Sequence, residues 1–249
     1  MTTQTNQLYV AWQHPQARTW HCIGQLSRDK STNSAAYCFH YLQGAQTASG
    51  FEPLAGLPNL NGQYCADELF GVFTTRLMPK GRPDRPQYLK WLGLDASHDA
   101  DQMEELARSG GVRSSDSIQL FPAPTKRDGR YQTQFFVHGL SHQGATAVAA
   151  AQALRAGDIL GLVREQDNQH DGCAIAIQSG DLRIGFVPRF LSCDIGGLLN
   201  TGNAALSLEA VNLHAPLSHS LLCRFSAPWP EGFEPFNRDE FKKISTLAA

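Results

Sequence analysis

The chain is poor in charge, and neither sign dominates. Of its 249 residues 18% are charged, with 21 Lys and Arg against 23 Asp and Glu. Residues 1–130 carry 13 basic and 12 acidic side chains, and residues 131–249 carry 8 and 11. This excludes a protein that coats duplex nucleic acid through a basic field, because that mode needs many cations to displace counterions. Any contact with nucleic acid must rest on a few placed groups. Long apolar runs are also missing. The longest, Ala145 to Ala153, is too short and too rich in alanine to span a bilayer, so no membrane partner is expected. The first residues, Met1-Thr2-Thr3-Gln4-Thr5-Asn6-Gln7, lack the basic and apolar regions of a signal peptide. A cytoplasmic protein is the expectation. Cysteine is sparse and scattered, at Cys22, Cys38, Cys65, Cys173, Cys193 and Cys223, with no C-x-x-C pair. Zinc sites usually show close ligand pairs, so buried free thiols are expected rather than a metal site or a disulfide framework.

Catalytic signatures are absent in the same way. There is no G-x-x-x-x-G-K-[ST] and no G-x-G-x-x-G. Gly139-Leu140-Ser141-His142-Gln143-Gly144 has one residue too many before its second Gly to be a nucleophile elbow. His138 and His142 stand four apart without the Glu of H-E-x-x-H. No cofactor is implied, and the chain is expected not to be an enzyme.

What is present is an ordinary globular composition, 42% hydrophobic, enough for a sizeable core in one or two domains. Residues 8–12, 20–26 and 37–42 alternate as strands, and 43–63 read as loop. A helix is predicted from Asp67, with Leu69, Phe70, Phe73 and Leu77 on one face. A second is predicted after Asp84 and a third from Asp99 to Arg108, ending at Gly110-Gly111. Ser117 to Phe121 returns to strand, and 122–130 reads as a turn-rich connector. Beyond it, strands are predicted at 134–140, 158–164, 173–178, 182–187, 206–211 and 220–225. Helices are predicted from Thr146 to Leu154 and from Pro188 to Leu199. Short strands at this spacing suggest a curled sheet or small barrel. The tail from Ala227, with Trp229, Phe233 and Phe236, is expected to pack back or to dock on a partner.

The densest chemistry lies in Arg164-Glu165-Gln166-Asp167-Asn168-Gln169-His170-Asp171-Gly172-Cys173-Ala174-Ile175, followed by Ile184-Gly185-Phe186-Val187-Pro188-Arg189. A polar loop enters an apolar strand, and a second strand ends at a Pro-Arg that starts a helix. Asn and Asp before a strand also form Asx-turns, and an Arg at a helix start also pairs with a nearby carboxylate such as Asp194. Together with Leu154-x-x-Gly157-Asp158-x-Leu160, these motifs resemble the HIRAN domain over about residues 133–226. That family is a small β-barrel related to OB-like folds, found in helicase-like transcription factors and in bacterial proteins.

The resemblance implies recognition of the 3′ end of single-stranded DNA. By position it assigns Asn168 to a base edge or sugar and Asp171 to the terminal hydroxyl. Asp167 stands beside them, and His170 occupies a position for base stacking. It places Arg189 at a backbone phosphate and makes Arg164 and His142 neighbours of the site. Ser141 stands where the family often has Arg, and Cys173 where it often has Asn.

Residues 8–122 resemble the N-terminal subdomain of HipA-type proteins. The similarity rests on Ile23-Gly24-Gln25-Leu26, Tyr37-x-Phe39-x-Tyr41 and Leu69-Phe70-x-x-Phe73-x-x-Arg76-Leu77-Met78-Pro79-x-Gly81. That resemblance implies a protein-binding module without the kinase core.

The expectation is therefore an α+β chain in four parts. A HipA-like module spans 8–122, a linker 123–132, a HIRAN-like β-barrel with an embedded helix 133–226, and a tail 227–249. Its expected role is a DNA-binding adaptor with a protein partner, in bacterial repair, defence or a toxin–antitoxin system. A protein-only antitoxin is the first alternative. A metal-dependent hydrolase using His138, His142 and His170 is the second.

Overall fold

The computed structural model describes residues 5–29, 36–97, 100–165, 168 and 171–244. The chain divides into two compact units. One comprises residues 1–89, 94–123 and 236–249, and the other 90–93 and 124–235. Among the described residues no helix is long and apolar enough to cross a membrane.

The first unit is built on a five-stranded antiparallel sheet. Its elements are β1 (Gln7–Gln13), β2 (Trp20–Asp29), β3 (Ala36–Tyr41), α1 (Gln43–Thr47), β4 (Gln63–Ala66), α2 (Gly71–Thr74), α3 (Arg85–Trp91, whose last two residues fall in the second unit), α4 (Gln102–Ser109) and β5 (Ile118–Pro122). The sheet order is β4-β3-β2-β1-β5. Alternation along the strands sends Leu8, Val10, Ile23, Leu26, Phe39 and Leu120 into one core, where Phe73, Met103 and Leu106 meet them. The opposite side of β1 and β5 presents Tyr9 and Phe121. The returning tail covers these with Phe236 and Phe241, at ring separations of 5.0 Å (Tyr9–Phe236) and 5.4 Å (Tyr9–Phe241).

The helix predicted from Asp67 shrinks to the single turn α2. Leu69 and Phe73 are still buried, but tertiary bonds hold the segment. Arg76 donates from Nε to the Val72 carbonyl and from Nη1 to the Gly111 carbonyl, and it pairs with Asp116 at 2.6 Å. The third helix is described from Gln102, and Asp99, its predicted start, lies outside the described residues. Asp101 is its N-cap, accepting from the Met103 and Glu104 amides, and Gly110 ends it in the left-handed conformation at φ 69°. Within the predicted loop 43–63, α1 forms, and β4 begins at its end.

The second unit contains β6 (Thr125–Arg127), β7 (Arg130–Phe136), α5 (Ala145–Ala153), β8 (Ile159–Arg164), β9 (Ile175–Ser179), β10 (Leu182–Phe186), α6 (Arg189–Leu198), β11 (Ala205–Val211) and β12 (Leu221–Pro228). The stretch predicted as a connector is in part a hairpin. β6 turns through Asp128-Gly129 into β7, because these residues supply the left-handed backbone a tight turn needs, at φ 51° and 70°. The sheet runs β10-β9-β8-β11-β12-β7-β6. It curls until His138, just past β7, exchanges backbone hydrogen bonds with Phe186 at the end of β10. Gly185 makes that closure possible. It sits at φ 153°, and a Cβ there would lie 2.4 Å from Val137 Cγ1 and 2.5 Å from the His138 carbonyl oxygen. Tyr131, Leu160, Ile175, Ile177, Ile184 and Phe225 fill the interior. The α+β class and the barrel-like second half are borne out. The tail leaves this unit through Trp229 and Phe233, which pack on Tyr131.

The cysteines depart from expectation. Cys38 is bonded to Cys65, and Cys173 to Cys193. Cys38 and Cys65 lie directly opposite in the β3–β4 register, 27 residues apart in sequence, so no local motif announces them. Cys22 and Cys223 are the buried free thiols that composition suggested. Burial pushes Cys223 up to about 12, with Glu209 adding to it.

Candidate functional site

The candidate site grows from the β8–β9 connection. Its neck is closed by the Arg164–Ile175 pairing and by the Glu165 amide donating to the Ala174 carbonyl at 2.9 Å. Inside the loop, polar side chains satisfy backbone groups that a tight turn leaves open. Asn168 Oδ1 accepts from the Asp171 amide at 3.1 Å, and its Nδ2 donates to Glu165 Oε2 at 3.0 Å. Asp171 Oδ1 accepts from the Cys173 amide at 3.0 Å.

The helix α6 then meets this loop. Val187 donates to the Ile175 carbonyl at 3.0 Å, and Pro188 starts the helix one residue later. Arg189 therefore begins α6 beside the loop, with its Nε 3.5 Å from Asp171 Oδ2. Arg164 reaches the same helix and donates to the Gly196 carbonyl. The Cys173–Cys193 disulfide adds a covalent tie between loop and helix.

A third group joins from the other side. Arg183 on β10 pairs through Nη1 with Glu165 at 2.5 Å and donates from Nε to Gln143 at 2.8 Å. Its guanidinium lies 5.2 Å from the Phe186 ring centre. Glu165 is thus shared by Arg183 and Asn168. Gln143 follows the short 3₁₀ turn Leu140–His142, so this chain of contacts runs from that turn to the loop.

Of the residues singled out by sequence, the structure brings together Arg164, Asn168, Asp171 and Arg189. Asn168 braces the loop through both ends of its amide. His142 is exposed on the 3₁₀ turn, next to Gln143. Asp167 and His170 lie outside the described residues. Sequence reading missed Arg183 and Gln143. The one available signal was the polar Arg183 between Leu182 and Ile184 on a short strand. Arg183 faces Glu165, Arg189 faces Asp171 and Arg164 reaches the same helix, so basic groups gather locally in a unit whose sequence is net acidic. An ionised carboxylate has about four lone-pair directions, so Asp171 keeps accepting capacity beyond its two present partners. The side chain of Arg189 is 32% exposed.

The histidine arrangement does not form a metal centre among the described residues, where no group of three or more His, Cys, Asp or Glu is placed to hold an ion. His138 is tied into the closure with Phe186, and its ring stands edge-on to Phe190 at 6.2 Å. Burial, with His219 nearby, pushes its imidazole down to about 4.

A family model described as the HIRAN domain matches residues 131–229. Among solved structures, a protein from Lactobacillus plantarum is 21% identical with a TM-score of 0.32, the match covering 40% of this chain and 97% of that one. The HIRAN domain of human HLTF is 12% identical with a TM-score of 0.30, the match covering 39% of this chain and 74% of that one. No curated protein matches the chain. The family match does not extend into residues 8–122, and the HipA-type resemblance read there is not shown by the comparisons. It runs from β7 to just past β12, so the loop, the helix α6 and every residue of the candidate site fall within the span that the HIRAN model matches.

Proposed function

We propose that the second unit binds the 3′ end of single-stranded DNA at the junction of the β8–β9 loop and α6. The observation that carries this reading is the pairing of Asp171 with Arg189 inside the HIRAN match. A terminal 3′-hydroxyl donates to the Asp171 carboxylate, and the adjoining phosphate takes up N–H groups of Arg189. Asn168 and Glu165 position the loop, and His170 supplies a ring on which a base stacks, a contact of about 1–3 kcal/mol. With so few cations, binding depends on this grip rather than on a long electrostatic track. The protein acts by binding, without catalysing a reaction. The first unit serves as a HipA-like module for a protein partner, so the whole is an adaptor in bacterial repair, defence or toxin control. The net acidic balance of residues 131–249, 8 basic against 11 acidic, is the observation that favours a protein-only role instead.

Fluorescence anisotropy tests the proposal with three oligonucleotides: a single strand with a free 3′-hydroxyl, the same strand 3′-phosphorylated, and a blunt duplex. The free end is expected to bind at least about tenfold more tightly than the phosphorylated one, since a buried donor–acceptor match is lost and a charge is set against Asp171. Asp171→Ala is expected to abolish that preference. Equal or undetectable binding to all three overturns end recognition.

A further inference from the structure

The Cys173–Cys193 disulfide sits on the candidate site itself. Cys173 is two residues after Asp171, and its amide holds the Asp171 carboxylate at 3.0 Å. Cys193 lies on α6, one helical turn beyond Arg189. The bond therefore fastens the loop bearing Asp171 to the helix bearing Arg189, whose 3.5 Å approach is the centre of the site. The other disulfide differs in kind. Cys38 and Cys65 join neighbouring strands that a ladder already pairs, whereas among the described residues no ladder joins the polar part of the loop to α6. Both Cys173 and Cys193 are only partly buried, while the free thiols Cys22 and Cys223 are enclosed in the cores. A small thiol can thus reach the pair that matters to the site.

We propose that Cys173 and Cys193 form a redox clamp on the strand-end site. This rests on the DNA-end reading above. Bonded, they hold Asp171 and Arg189 in the binding arrangement. Reduced, they release the loop, which must then be ordered when the strand binds. Reduction proceeds by thiol–disulfide exchange. The thiolate of a low-molecular-weight thiol attacks one sulfur and expels the other cysteine as a thiolate, which takes a proton from water. A second small thiol attacks the mixed disulfide and frees the remaining cysteine. The cysteine pair gains two electrons and two protons, and the small thiols leave as their own disulfide. A low-molecular-weight disulfide drives the reverse reaction. In a reducing compartment the clamp opens, and in an oxidising one it stays shut.

The test uses the full chain, a labelled single strand with a free 3′-hydroxyl, and anisotropy before and after reduction with dithiothreitol. Alkylation followed by peptide mass spectrometry establishes the state of each cysteine. Reduction is expected to weaken binding about tenfold, the scale of losing a preorganised loop. A C173S/C193S protein is expected to bind like the reduced wild type under both conditions. A C38S/C65S protein is expected to respond to reduction as the wild type does. Equal affinity of the verified oxidised and reduced forms overturns the clamp, and so do Cys173 and Cys193 found as free thiols in the oxidised protein. Tight binding by C173S/C193S overturns it independently. Absence of binding in either redox state overturns the DNA-end reading, and the clamp with it.

Discussion

Asp171 serves fold and site together, whereas His138 serves the fold alone. The Asp171 carboxylate closes its own turn through the Cys173 amide while facing Arg189. The Asx-turn and the ligand reading of that aspartate are therefore not exclusive, because one oxygen serves each. His138 is wholly structural. Its backbone closes the curled sheet, and burial with His219 holds the imidazole near 4 against an ordinary 6.5. The folded form binds the proton less readily than the unfolded chain does. Stability from this group is complete above about 6.5, falls as pH drops toward 4, and then levels off. The loss is at most about 3 kcal/mol. Urea unfolding at pH 7 and pH 4.5 measures it, and His138→Gln is expected to remove most of the difference. An unchanged pH slope in that variant contradicts the assignment.

At the scale of elements, Gly185 is the sharpest test. Any side chain there meets Val137 and the His138 carbonyl where β10 closes on the end of β7. Gly185→Ala is expected to cost about 2–3 kcal/mol, combining backbone strain with displacement of the closing bridge. Chemical denaturation reads this directly, and a change below about 0.5 kcal/mol would contradict the closure account. The strands of the second unit were legible because apolar alternation such as Leu206-Ser207-Leu208 is bounded by turn residues. The helix predicted from Asp67 was misread because its apolar spacing is real but its backbone is not helical throughout. Arg76 holds that segment by reaching Gly111 and Asp116, 35 and 40 residues away. The contacts of Arg183 with Glu165 and Gln143 were illegible for the same reason. Residues brought together by a curled sheet share no spacing in sequence. The loop itself was legible, since Asn168 and Asp171 before an apolar strand mark a turn on chemistry alone.

Across the whole molecule, the described residues begin and end in the same unit. Residues 236–244 return to the sheet of the first unit, where Phe236 and Phe241 cover Tyr9 and Phe121. The second unit is thereby inserted in sequence between parts of the first, which a linear reading of an open C-terminal tail does not convey. Two of the six cysteines remain free in the cores, and the other four form one disulfide in each unit. The balanced charge has its counterpart in a local gathering of Arg164, Arg183 and Arg189 around a single loop and helix. The central claim is that this place grips a strand end. Amide NMR of the isotope-labelled full chain, titrated with a short single strand bearing a free 3′-hydroxyl, tests it most directly. The account predicts shifts concentrated at 164–173, 183 and 189–196. Shifts confined to residues 5–123, or none at all, would contradict it.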